Sequence, residues 1–223
     1  MDRLLLGRLR RLLHNIIVSE VHAEWGNAWP WIAEHLNREW IQREYTPRYI
    51  RPEFNAEGKP PYIDVFAVLV NDNCKAIPLG IEVKVTTRLD RRQVVDELDL
   101  LDNYMARSDE RRGELLSWIG TPECRNGVRD TGWRIYVLMV PGAIANDAAA
   151  LVNSVRWGRV VSTVIPIEDV IEVLGIREAL SLLIGNWGSV IPRLQPSVVA
   201  PGYKERYSGN NDYNNNHHYK WHA

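Results

Sequence analysis

In Ile81-Glu82-Val83-Lys84 a carboxylate and an ammonium stand two residues apart between apolar neighbours. Positions i and i+2 of a strand face the same way, so the acid and the base project together while the alternate positions stay apolar. Upstream, Ile63-Asp64-Val65-Phe66-Ala67-Val68-Leu69-Val70 is apolar on both faces except for one acid, the pattern of a strand buried on both sides. With a turn over 71–75 and Val70 paired with Ala76, an antiparallel register sets Asp64 opposite Glu82, Cβ atoms roughly 5 Å apart. Carboxylates that close in a dry site must share a proton, take a cationic partner or bind a divalent ion. Oxygen ligands of this kind favour Mg²⁺ or Mn²⁺. Glu20 adds a third acid: it follows Ile16 by four residues and Leu13 by seven, which sets it on the apolar stripe of a helix. The plainer alternative is a structural ion pair in which Lys84 neutralises Glu82.

These residues need a scaffold. Leu5, Leu9, Leu12, Leu13, Ile16, Ile17 and Val21 recur at helical spacing and predict a long helix from residue 3 to about 24, with Arg3, Arg8, Arg10 and Arg11 interleaved. A second helix is predicted over Trp29 to Gln42, with Pro30 in its first turn. Arg48 to Phe54 predicts an edge strand, and Gly58, Pro60 and Pro61 mark a loop after it. The two acid-bearing strands are expected at Ile63 to Val70 and Leu79 to Val85, with Pro78 confined to a strand start or an edge. A returning helix follows over Gln93 to about Ala106, striped by Val94, Leu98, Leu101 and Met105. Arg134 to Val140 and Val160 to Ile165 predict two more strands, and Ile167 to Ala179 a last helix. This order argues an α/β domain with a mixed sheet over residues 1–194, followed by an Asn/His/Tyr-rich tail, 195–223, expected to be mobile.

On these residues the sequence resembles the PD-(D/E)xK nuclease superfamily, in the style of archaeal Holliday junction resolvases. The match runs over roughly residues 15 to 140: Glu20 on the opening helix, Asp64 in Pro61-Tyr62-Ile63-Asp64, then Glu82-Val83-Lys84, Thr86-Thr87 and a helix near Gln93. Two residues separate Pro61 from Asp64, so the literal Pro-Asp pair is absent. The resemblance implies a restriction-endonuclease-like core, a mixed central sheet flanked by helices, and a metal-dependent endonuclease that hydrolyses DNA phosphodiesters. It implies Asp64, Glu82 and the Val83 carbonyl as metal ligands, Glu20 as a ligand directly or through water, and Lys84 as the group that orients or activates the attacking water. Thr86, Arg88, Arg91 and Arg92 then stand where a phosphate backbone would approach. Branched DNA is the favoured substrate, and symmetric junction cleavage would require a homodimer. The alternative is a nuclease-fold module that only binds DNA or protein.

Composition narrows the rest. A net charge of −1 does not announce a nucleic-acid binder, although the basic residues are 22 Arg against 5 Lys. Cys74 and Cys124 are too few for a disulfide framework or a four-thiolate zinc site and read as bystanders, a single bridge between them remaining open. No apolar run is long enough for a membrane span and the first residues do not form a secretory signal, so a cytoplasmic protein is expected. His22-Ala23-Glu24 with Pro122-Glu123-Cys124 falls short of a zinc-deaminase signature because position 127 is Gly. Walker and Rossmann loops are absent, which argues against ATP and NAD. His217, His218 and His222 read as tail residues, and Trp25, Trp29, Trp31 and Trp40 as core packing or a subunit contact.

Overall fold

A computed structural model describes residues 3–54, 62–86, 88–106, 124, 127–155 and 158–177. The expected loop after Phe54 and the tail lie outside them, whereas the last helix, expected to run to Ala179, ends at Val173, where Gly175 at φ +65° turns the chain and donates its N–H to the Glu172 carbonyl. Three helices open the chain: α1 (Arg3–Ala23), α2 (Trp25–His35) and α3 (Glu39–Glu44). The single helix expected over Trp29 to Gln42 is thus two. Pro30 lies inside α2 and not in its first turn. The break falls at Asn37, whose φ of +52° ends α2 in the left-handed region that Asn tolerates, its N–H donating back to the Glu34 carbonyl.

Strands β1 (Thr46–Phe54), β2 (Ile63–Val70) and β3 (Lys75–Val83) form an antiparallel meander, with β1 at the sheet edge. Helix α4 (Arg91–Ala106) follows, then the two-residue β4 (Arg129–Asp130), β5 (Trp133–Val140), α5 (Ala145–Ser154), β6 (Arg159–Pro166) and α6 (Ile167–Val173). β3 and β5 run parallel, as do β5 and β6, giving a mixed sheet of order β1-β2-β3-β5-β6 with β4 beside the start of β3. Strand alternation splits the core in two. Val65, Ala67, Leu69, Leu79, Ile81, Val137 and Met139 meet α1, α2 and α6, whereas Phe66, Val68, Tyr136 and Leu138 meet Val94, Leu98 and Leu101 of α4 and Ala148 and Val152 of α5. Gly80 lets α4 settle: a Cβ there would stand 3.3 Å from Leu101 Cδ1 and 3.2 Å from Ile63 Cδ1.

Pro78 is not at a strand start. It pairs with Val68 inside β3, at the point where the parallel neighbour changes from β4, opposite Ala76, to β5, opposite Leu79. A residue without an N–H fits a central strand where the ladder on one side is interrupted. The cysteines also differ from expectation: Cys74 and Cys124 form a disulfide, Cα atoms 5.5 Å apart, tying the β2–β3 turn to the chain ahead of β4. The bridge closes a sequence separation of 50 residues, for which unfolded-chain entropy gives about 4 kcal/mol of stabilisation. Among the described residues no helix is long and apolar enough to cross a membrane.

Candidate active site

The β2–β3 turn sets the register of the acids. Asn71 Oδ1 accepts from the N–H groups of Asn73 and Lys75, and Val70 pairs with Ala76 as the sequence predicts. The ladder continues to Val65 opposite Ile81, the last pair before the strands part. Beyond it the Asp64 side chain takes over: its Oδ2 accepts the Val83 N–H at 2.7 Å. Its Oδ1 lies 3.1 Å from His14 Nε2 on α1. Glu82 turns toward α4, where Gln93 Nε2 donates to its Oε1 at 2.9 Å, and Lys84 Nζ makes a close contact with the same oxygen. The Glu82 side chain is buried, and its Oε2 has no hydrogen-bond partner among the described residues.

Beneath Glu82 lies a second buried acid. Glu97, 0% exposed, accepts from Gln93 Nε2 at 2.6 Å through Oε1 and from the Tyr136 hydroxyl at 2.5 Å through Oε2. Burial, with Asp64 and Glu97 close by, raises the Glu82 carboxyl to about 9 against the opposing pull of Lys84. Burial likewise raises Glu97 to about 7, although its two hydrogen bonds favour the ionised form. The hydrogen bond to Asp64 raises the His14 imidazole, opposed by burial. The region is therefore rich in acid and short of positive charge.

Asp64, Glu82, Lys84, His14 and Gln93 open on one cleft of about 440 Å³, with Tyr62 and Arg92 at its walls. Of the residues singled out in the sequence, it gathers Asp64, Glu82, Lys84 and Arg92. Glu20 is not among its lining residues, and this corrects the expected trio. Six residues separate it from His14, about 600° of helical turn, so the two flank the buried stripe of Leu13, Ile17 and Val21 from opposite sides. The helix presents the histidine side to Asp64. Thr86 and Arg88 do not line the cleft either, and Arg91 reaches away to the Ser154 carbonyl at 3.3 Å. Asp90 Oδ1 caps α4 by accepting the Arg92 N–H. Gln93 and Glu97 did carry a signal in the sequence. Glu97 interrupts the stripe of Val94, Leu98 and Leu101, and Gln93 precedes it by one turn on the same side.

The donor set suits a divalent cation: two carboxylates, one with an orphaned buried oxygen, and an imidazole. Among the described residues, however, no three metal-ligating side chains are already gathered into a cage. The Lys84 contact holds Glu82 Oε1, so a cation there would compete with the ammonium. No protein-family model and no curated protein matches the chain.

Proposed function

We propose that this chain is a metal-dependent DNA endonuclease hydrolysing phosphodiester bonds, with a Holliday junction or other branched DNA as substrate. The observation that carries the reading is the meeting of Asp64, Glu82 and Lys84 in one cleft, at the point where β2 and β3 separate, with a Glu82 oxygen left unpartnered. Asp64, Glu82 and the Val83 carbonyl would hold Mg²⁺ or Mn²⁺, with His14 in the place expected for Glu20. Such an ion lowers the pKa of water and stabilises charge on phosphate oxygens. The chain's own part is to keep Asp64 directed by the Val83 N–H, to keep Glu82 directed by Gln93, and to hold an ammonium beside the attacked phosphate once Lys84 leaves Glu82. Arg92 at the cleft wall would meet the phosphate backbone. Cutting a junction symmetrically would need two such sites, hence a homodimer.

Purified protein with Mg²⁺ or Mn²⁺, offered a four-way junction, flap, duplex and single strand, should cut at least one. Asp64→Asn and Glu82→Gln should abolish cutting while leaving the fold intact. The second reading, a nuclease-fold module that binds DNA or a partner without cutting, is favoured by the Lys84–Glu82 contact, which already neutralises part of the acid cluster. A wild-type chain inert on every substrate with either metal would establish it over the first.

A further inference from the structure

The lone charge in the α4 stripe is not explained by the groups proposed above to touch a cation or a phosphate. Glu97 faces no solvent, and both its oxygens accept hydrogen bonds, one from Tyr136 on β5 and one from Gln93. A tyrosine hydroxyl in a core needs only an acceptor, which a neutral side chain or a backbone carbonyl would supply at less cost than a buried carboxylate. The Gln93 amide gives the acid a second task. Its Nε2 donates to both Glu97 Oε1 and Glu82 Oε1, so one nitrogen bridges the buried acid and the acid that faces the cleft. Held by Glu97, the amide cannot rotate its oxygen toward Glu82, and it presents only N–H to that carboxylate. Tyr136 closes the chain at the other end, and its strand is paired with β3, which carries Glu82. The result is a continuous track from the sheet through Tyr136, Glu97 and Gln93 to Glu82.

We propose that Glu97 is a positioning residue for the candidate site: through Gln93 it fixes the direction of Glu82, and in its ionised form it strengthens the hold of the cleft on a divalent cation. The inference rests on the metal-dependent reading above and deepens it. Groups that orient metal ligands typically contribute about 10–100-fold in metal affinity when lost. Glu97→Gln keeps the volume and removes the charge; Tyr136→Phe keeps the charge and removes one donor.

The test is Mn²⁺ affinity of the full chain, followed by electron paramagnetic resonance of free Mn²⁺ and by calorimetry, beside thermal melting without metal. Glu97→Gln should bind Mn²⁺ about 10–100-fold more weakly, with a melt as cooperative as that of wild type. Tyr136→Phe should weaken binding in the same direction by a smaller factor. A Glu97→Gln chain that melts differently yet binds Mn²⁺ within twofold of wild type would overturn the proposal and leave Glu97 as a core acceptor for Tyr136. If Glu97→Gln does not fold, unchanged Mn²⁺ affinity in Tyr136→Phe overturns it equally. Failure of wild type to bind Mn²⁺ would remove the metal reading itself, a result distinct from equal binding by wild type and variant.

Discussion

Helix α4 carries two acids, five residues apart, into two charge clusters of different make. Asp102 meets Arg134, 4% exposed at the start of β5, whose terminal nitrogens also fork onto Asp130 at 2.8 and 2.9 Å and donate to the Trp133 carbonyl. Glu97 instead enters a region where Asp64 and Glu82 are also present and where the neighbouring ammonium is that of Lys84. In the first cluster a rigid guanidinium matches planar carboxylates bond for bond. In the second, a point charge on a flexible stem touches one oxygen of one acid, and Glu82 and Glu97 keep their protons more tightly. The first arrangement fastens α4 to the sheet; the second leaves demand for positive charge facing a cleft.

Mutations should pull the two clusters apart. Arg134→Ala removes the guanidinium that joins Asp102, Asp130 and the Trp133 carbonyl and should lower stability by about 1.5–3 kcal/mol, measured by urea denaturation. Glu82→Gln should do the reverse in the absence of divalent cations, raising stability at pH 8 by roughly 1 kcal/mol or more, while cutting falls by about 10²-fold or more; equal destabilisation in both variants would erase the contrast. The pH response sharpens it further. Glu82, ordinarily near 4.5, is raised to about 9, Glu97 is raised to about 7, and His14 is also raised, so the folded chain binds more protons than the unfolded one across that window. Stability from these groups is then fully present at the acid end and is lost as pH rises from about 4.5 toward about 9. Calorimetric melting without metal should show the decline, and Glu82→Gln should flatten it. The smallest difference is between neighbours: Arg92→Ala should weaken DNA binding and lower the salt slope by about one, whereas Arg91→Ala, tethered to Ser154, should change both less.

Where local pattern and geometry agree, the sequence was a sufficient guide. The turn residues around Asn71 set a register that holds as far as Val65 opposite Ile81, one step short of the expected Asp64–Glu82 pair, and the strands carrying Phe66, Ile81, Val137 and Val161 were visible in their apolar runs. What was not legible depended on how elements roll and meet. Spacing put Glu20 on the stripe of α1, but only the packed helix decides which edge of that stripe faces the cleft, and it chose His14. Pro78 looked foreign to a central strand because its missing partner, the gap between β4 and β5, is made by residues more than 50 positions later.

The Cys74–Cys124 bridge has a practical corollary. Any single protease cut between those two positions yields pieces that stay covalently joined. They would run as one band on a gel without reductant and as two once a thiol is added. That shift would report the oxidation state of the chain in whatever extract it is taken from.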